Sequence, residues 1–192
     1  MGKRSLQSEK MKYNPERHHR RSIRLKGYDY SRSGWYFVTI VTYDRQNLFG
    51  RVANGEMKLN NAGGIVKTEW LKTREIRKNI ELDVFVIMPN HIHGIIIIVD
   101  DDNVGAYRHT PLQNRHASTP FQSPSKTIGA IVRGFKSAVT KQINQIRNTP
   151  GLPVWQRNYW EHIIRNEIEL NRIRQYIIDN PKKWDDDRYF GN

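Results

Sequence analysis

The chain has 192 residues, and its 32 Lys and Arg against 19 Asp and Glu give a formal net charge of +13. This length predicts one domain of ordinary size with an arm or a long loop. The positive charge favours a polyanionic partner, and nucleic acid over a membrane surface, since no basic amphipathic helix stands out. The lack of cysteine excludes disulfides, thiolate metal sites and cysteine catalysis.

Targeting and membrane signals are not visible in the sequence. No apolar run reaches the roughly 18–20 residues of a membrane span. The start, MGKRSLQSEKMKY, is charged but has no apolar core, so it does not read as a secretory signal. We therefore expect a soluble cytoplasmic protein with no membrane partner.

Residues 1–26 are polar and basic and predict an N-terminal arm ahead of a folded domain at 27–184. In a basic protein such an arm can lie along phosphates, where each contact adds salt-sensitive affinity. His18 and His19 are expected to be exposed on it rather than to bind metal. The candidate phosphate contacts in the arm are Arg17, Arg20, Arg21 and Arg24.

The first half of the domain predicts strand, helix and hairpin. Residues 34–43, GWYFVTIVTY, are apolar on both alternating faces, which is typical of a central strand covered on both sides. A short strand and turn around Asn54-Gly55 and a helix over 62–78 follow. This order is the first half of a split β-α-β, ferredoxin-like antiparallel sheet, an α+β fold that also resembles the RRM.

The stretch 84–99, VFVIMPNHIHGIIIIV, predicts a hairpin of Leu82–Met88 and His91–Val99 around a Pro89-Asn90 turn. The strand period of two sends the imidazoles of His91 and His93 to the same face, close enough to hold one metal ion. The alternative is a buried strand whose histidines are satisfied by hydrogen bonds.

Residues 101–124 form a long polar stretch with three prolines, which predicts a mobile or functional loop. His109 and His116 are expected to be solvated there, while Arg108 and Arg115 are candidate DNA contacts. Ser125 is expected to cap a helix that runs to Arg147 with an apolar stripe. Arg133 and Lys136 of this helix are further candidate DNA contacts, although an ordinary solvated face explains them equally well.

The last part of the domain predicts a strand around His162–Ile164 and a helix that begins at Glu167 and ends at Pro181; a polar tail, 185–192, follows. Tyr176 and Asn180 stand one i,i+4 step apart and share a face of this helix. Two histidines leave a divalent ion short of ligands, and the amide oxygen of Asn180 would suit Mg²⁺ or Mn²⁺. A tyrosine nucleophile beside such a metal site indicates phosphoryl transfer through a covalent phosphotyrosine.

Six segments of the chain carry a family resemblance: IRLKGYDYS (23–31), YFVTI (36–40), VFVIMPNHIHGII (84–96), TIGAIVRGFKS (127–137), WQRNYWEHIIR (155–165) and IRQYIIDNPKKW (173–184). With them the chain resembles the REP-associated tyrosine transposases, within the IS200/IS605-type single-tyrosine (Y1) transposases of the HUH (His-hydrophobic-His) type. The resemblance implies that 27–184 is a catalytic domain with Tyr176 as nucleophile and His91, His93 and Asn180 as ligands of Mg²⁺ or Mn²⁺. His162 and Glu161 are further candidates near the site.

The resemblance also implies a bacterial, nucleoid-associated DNA transposition and recombination enzyme. It would recognise palindromic hairpins with a short flank and cut single-stranded DNA, leaving a 5′-phosphotyrosine and a free 3′-OH. Both monomers and homodimers occur among such relatives. Two alternatives stay open: a non-catalytic RRM-like nucleic-acid-binding domain with a vestigial site, and a metal nuclease that uses water instead of Tyr176.

Overall fold

The computed structural model of the chain describes residues 28–99, 126–187 and 189. The predicted arm and the 101–124 loop, with their candidate arginines and histidines, lie outside these residues. The elements are β1 (Gly34–Val41), β2 (Gly50–Ala53), β3 (Glu56–Leu59), α1 (Asn61–Ile76), β4 (Ile80–Ile87), β5 (His91–Ile98), α2 (Ile128–Arg147), β6 (Trp160–Ile164) and α3 (Glu167–Asp179), followed by a 3-10 segment, Asn180–Asp186.

Four strands form an antiparallel sheet in the order β4-β5-β1-β6, which confirms the predicted fold class. The chain turns from β4 into β5 over Met88, Pro89 and Asn90, where the Met88 amide donates to the His91 carbonyl at 2.8 Å. β2 and β3 form a separate hairpin. Its turn residues, Asn54 and Gly55, both have positive φ, as two-residue hairpin turns with this sequence require.

The sheet is covered on both faces, as the apolar composition of 34–43 predicts. One face packs under α1 and α2 in the larger core, with Tyr36, Ile92 and Val132 among its fully buried residues. The other face packs under α3 in a smaller core that includes Phe37 and Ile95. Successive residues of β5 therefore alternate between two cores, which leaves α3 on the same side as the odd-numbered histidines.

The helices differ from the sequence prediction mainly at their ends. The cap of α2 is Thr127, whose side chain accepts from the Ala130 amide, so the prediction of Ser125 as the cap is wrong. Thr127 lies two residues further along the chain than Ser125, directly before the apolar stripe, and its hydroxyl satisfies a free amide of the first turn. α3 ends at Asp179, ahead of Pro181 as predicted. Among the described residues no helix is long and apolar enough to cross a membrane.

The close packing between β5 and α1 yields a stability prediction. A Cβ added at Gly94 would lie 2.5 Å from Cζ2 of the buried Trp70, so we expect Gly94→Ala to lower the free energy of unfolding by about 1–3 kcal/mol. Gly64→Ala is the matched control in α1, where the added methyl meets no atom within 4 Å. It should be neutral or stabilising. Urea denaturation measures both variants, and equal values would contradict the packing account.

Candidate active site between the sheet and the last helix

The two histidines begin β5 and lie side by side on the α3 face of the sheet. His91 pairs with Val41 and His93 with Thr39 of β1. Both are buried, and their ring centroids are 4.5 Å apart. The strand period thus places both imidazoles on one face, as the sequence predicts.

The neighbour of His91 in the turn, Asn90, orients the ring of His91. Asn90 Nδ2 donates to the carbonyls of Arg45 and Tyr189, at 3.0 and 2.7 Å. These bonds leave Asn90 Oδ1 as an acceptor 2.9 Å from His91 Nδ1, so Nδ1 carries the proton. The lone pair of His91 is therefore on Nε2, the arrangement that a metal-binding histidine needs.

His93 is held between the sheet and α3. Its Nδ1 lies 2.8 Å from Thr39 Oγ1, and its Nε2 lies 3.2 Å from the hydroxyl of Tyr176. The side chain of Tyr176 is 44% exposed, so its hydroxyl can meet both the histidine and an incoming molecule. The predicted pairing of strand and last helix thus brings these two residues into hydrogen-bond distance.

A carboxylate joins the histidines from beyond α3. His91, His93 and Asp187 each offer a ligand atom, and these atoms all lie within 4.8 Å of one another. Two imidazole nitrogens and a carboxylate oxygen are a donor set that divalent metals accept. Asp187 belongs to the segment assigned to the polar tail, and sequence spacing alone does not single it out.

Asn180 lies beside this carboxylate. Its Nδ2 donates to Asp187 Oδ2 at 3.2 Å, and its dihedral angles remain helical, so the i,i+4 relation to Tyr176 is kept. Asn180 is only 3% exposed, and its Oδ1 has no hydrogen-bond partner among the described residues. A buried amide oxygen without a donor costs free energy unless a ligand satisfies it.

Aromatic rings and a strained turn close the site. The rings of Trp184 and Tyr189 lie 6.0 and 4.7 Å from that of His91. The Arg45 guanidinium lies 5.8 Å from the Tyr189 ring centre. Asp44 and Arg45 both have positive φ, 56° and 52°, which costs roughly 1–2 kcal/mol for each such residue. This strained backbone presents the Arg45 carbonyl to Asn90, and strain of this kind concentrates at functional sites.

Two polar pairs hold α3 at opposite edges of the sheet. On the β4 side, Asp83 accepts from Arg174 Nε at 3.0 Å and from Arg174 Nη2 at 2.5 Å. On the β6 side, His162 Nε2 lies 2.7 Å from Glu169 Oε1. Hydrogen bonds from the Arg165 amide and, more weakly, from His162 lower the pKa of Glu169. We call the Asp83–Arg174 pair the β4 clamp.

The other predicted site residues that the structure describes have contacts away from the histidines and Tyr176. Glu161 accepts from the Tyr159 hydroxyl at 2.5 Å and, by its pairing with Val38, faces the α1 and α2 side of the sheet. His162 is on the correct face, but its contacts are Glu169 and a stacked Trp160 ring. Arg133 is exposed on α2, and Lys136 donates to the carbonyls of 156 and 158.

Sequence reasoning missed Asp187, Asn90 and the β4 clamp. Asn90 does carry a local signal, because it directly precedes the first histidine in the turn. No local sequence signal marks Asp187 or Asp83. The partners of Asp187 are the histidines of β5, and the partner of Asp83 is Arg174 in α3, so both sets of partners are distant along the chain.

Comparison with known proteins found relatives in sequence and in fold. The chain is 45% identical over 179 residues to an uncharacterized Haemophilus influenzae protein, covering 93% of this chain and 97% of that protein. It is 27% identical over 155 residues to another protein of that organism, named "Putative REP-associated tyrosine transposase", covering 81% and 74%. No family model matches the chain.

A solved structure of a REP-associated tyrosine transposase bound to a REP hairpin has the same fold. The TM-score is 0.53 at 20% identity, over 84% of this chain and 74% of that one. In this chain the four-stranded sheet carries the His-x-His strand, and the helix of Tyr176 packs on one face of that sheet. In sequence and in fold the chain is therefore similar to REP-associated tyrosine transposases.

The β4 clamp makes a prediction about α3. Because Arg174 is only partly exposed and Asp83 is nearly buried, Asp83→Asn should lower the free energy of opening of α3 by about 1 kcal/mol. Hydrogen exchange should then speed up roughly fivefold for the α3 amides. Combining Asp83→Arg with Arg174→Asp should restore part of the protection.

Glu56→Gln is the control, because the Glu56–Lys58 pair is exposed on both sides. It should leave α3 exchange unchanged. Unaltered α3 protection in Asp83→Asn would show that apolar packing alone holds the helix.

Proposed function

We propose that this protein is a metal-dependent single-stranded DNA endonuclease and strand transferase that works through Tyr176. The observation that carries the proposal is the 3.2 Å contact between the Tyr176 hydroxyl and His93 Nε2. It brings a nucleophile from α3 to a pair of oriented histidines and a carboxylate. A hydrogen bond between Tyr176 and His93 with a purely structural role would need neither a carboxylate nor an unsatisfied amide oxygen beside it. This site has both, in Asp187 and Asn180.

The chemistry is an in-line displacement at phosphorus. Tyr176 Oη forms a bond to the phosphorus while the bond from phosphorus to the 3′ oxygen breaks. The phenolic proton is released and the leaving oxygen takes up a proton, so the products are a 5′-phosphotyrosine and a free 3′-OH. The reverse reaction rejoins strands without another energy source, because the phosphotyrosine keeps the bond energy of the phosphodiester.

The residues present fit a divalent cation. His91, His93 and Asp187 would hold it, and the buried Asn180 Oδ1, which lacks a donor, would supply a fourth ligand. Oxygen and imidazole donors suit Mg²⁺ or Mn²⁺. When bound, such an ion polarises the phosphate and offsets charge in the transition state. The chain's own contribution is orientation: Asn90 and Thr39 fix the rings, and the β4 clamp holds the helix of Tyr176.

Hairpin DNA is the proposed substrate. The related transposase of known structure is bound to a REP hairpin, and this chain shares its fold. The net charge of +13 supports a phosphate-rich partner. The arginines of the arm and of the 101–124 loop, together with Arg133 and Lys136, remain the proposed duplex contacts.

Tyr176→Phe tests the nucleophile. Wild-type protein incubated with labelled hairpin DNA and Mg²⁺ or Mn²⁺ should form a covalent adduct that survives a denaturing gel. Removing the hydroxyl should abolish the adduct and leave binding within about twofold, because the ring stays in place against Phe37. Tyr43→Phe is the control: this tyrosine is similarly exposed, at 49%, and should form the adduct as wild type does.

The same gels separate the alternative functions. Cleavage that persists in Tyr176→Phe would identify a hydrolytic metal nuclease that uses water. Tight binding without adduct or cleavage in the wild type, on varied hairpins and with either metal, would identify a non-catalytic binding domain.

Asp187→Asn tests the third ligand. The amide keeps an acceptor for the Tyr189 N–H, which now donates to Asp187 Oδ1 at 2.7 Å. Loss of the negative charge should weaken Mn²⁺ binding by about tenfold or more, by analogy with changes close to other metal sites. Calorimetric titration of Mn²⁺ into DNA-free protein measures this. Asp185→Asn, an exposed aspartate two residues away, should leave the affinity unchanged; equal losses would argue against a ligand role for Asp187.

A further inference from the structure

The β2–β3 hairpin is separate from the four-stranded sheet and contributes little to either core. None of its strand residues is buried, and Met57 is the strand residue that packs against the larger core. A two-stranded hairpin is at best marginally stable by itself in water, so contacts at its two ends have to hold it in place. These contacts lie next to the two halves of the candidate metal site.

At its base the hairpin is fixed to the turn that precedes His91. The amide of the fully buried Phe49 donates to the Pro89 carbonyl at 2.9 Å. The Phe49 carbonyl accepts from the Asn60 amide at 3.0 Å, so the residues before β2 and after β3 are joined there. Pro89 directly precedes Asn90, whose side chain orients the His91 ring. The base of the hairpin therefore has a set position relative to the first histidine.

At its tip the hairpin lies against the 3-10 segment that follows α3. A Cβ added at Gly55 would lie 3.4 Å from Cγ and 3.9 Å from Cβ of Lys182, so the turn and the lysine stem leave room for little more than a methyl group. The elements that this segment packs against most are α3, from which it continues, and β3. The hairpin is thus the main neighbour of the segment apart from its own helix.

The 3-10 segment carries the oxygen donors of the candidate metal site. It begins at Asn180, and Asp187 follows it directly. Its contacts at the site are made among the donors and their neighbours, including the bond from Asn180 Nδ2 to Asp187 Oδ2 at 3.2 Å. The segment is seven residues long and kinks at Lys183, and 3-10 runs of this length are uncommon because their hydrogen bonds are poor. Support from another element is therefore needed to fix where the two oxygens lie.

We propose that the β2–β3 hairpin sets the distance between the two halves of the candidate metal site, the histidine strand on one side and the 3-10 segment with Asp187 on the other. Gly55 and Lys182 are positioning residues, since they act through the segment and not on the ion. This inference rests on the proposed function and adds to it the element that keeps the donor atoms within 4.8 Å of one another. A site that is already ordered binds more tightly, because less entropy is lost on binding.

Lys182→Ala tests the contact by removing the stem that lies against Gly55. Mn²⁺ should bind the DNA-free protein about tenfold more weakly, as when residues that support metal ligands are changed. Calorimetric titration measures this affinity. In metal-free protein the amides of 180–187 should exchange about fivefold faster, which hydrogen-exchange mass spectrometry measures. Lys183→Ala is the matched control, because it removes the same charge from the adjacent exposed residue; it should change neither quantity.

A reversible crosslink tests the same contact in the opposite direction. The Cβ–Cβ distance of 3.9 Å between positions 55 and 182 is within the range of disulfides, and the chain has no cysteine of its own. The oxidised form of Gly55→Cys/Lys182→Cys should bind Mn²⁺ about tenfold more tightly than its reduced form. A side chain at φ +72° is strained in both forms, so this strain does not enter the comparison. Wild type carried through the same oxidation and reduction should not change.

The outcomes separate this inference from the proposed function. If wild type binds Mn²⁺ and forms the Tyr176 adduct, but Lys182→Ala and the crosslink change neither affinity nor exchange, the inference is wrong and the proposed function stands. Faster exchange without weaker Mn²⁺ binding would also overturn it, because the segment would then move without moving the donors. If wild type binds no Mn²⁺, the proposed function is wrong, and faster exchange over 180–187 in Lys182→Ala would still support the hairpin as the element that holds this segment.

Discussion

Docking of α3 onto one face of the sheet is the interaction on which the candidate site depends. Leu170, Ile173 and Ile177 are buried between the helix and the strands, and each contributes about 1.5–3 kcal/mol of transfer free energy. Apolar contacts hold the helix to the sheet but set its position along the strands weakly, because they are not directional. The β4 clamp and the His162–Glu169 pair supply that direction at the two edges. Tyr176 thereby reaches His93 at hydrogen-bond distance.

The site also shows how a polar network can be kept inside a small domain. Each histidine has one ring nitrogen beside a neutral side chain, Asn90 or Thr39, so neither ring needs a charged partner. The Asn90 amide is itself held by two backbone carbonyls, one of them presented by the strained turn at Arg45. The orientation of the His91 ring therefore depends on the strained turn. Backbone hydrogen bonds between the end of β1 and the 150–157 segment flank this turn, from the Tyr43 amide to the Val154 carbonyl and from the Gln156 amide to the Val41 carbonyl.

Much of the fold was predictable because it follows from local periodicity. The alternation in 34–43, the Asn54-Gly55 turn and the apolar run around His91 all specify elements that the structure contains. Element ends were less predictable, as the Thr127 cap shows, since several residues near a helix start can serve the same amides. Glu161 was expected near the site but faces the other core. Its face depends on the register of β6 against β1, which is a property of the assembled sheet.

The sequence by itself determined the two-residue spacing that puts His91 and His93 on one face and the four-residue spacing that puts Tyr176 and Asn180 on another. Both follow from backbone geometry within one element. Only the tertiary structure decided that these two faces meet, that Asp187 joins them and that Asp83 anchors the helix. The reason is physical: contacts between residues far apart in the chain depend on how the sheet twists and where α3 docks, and no local pattern encodes either.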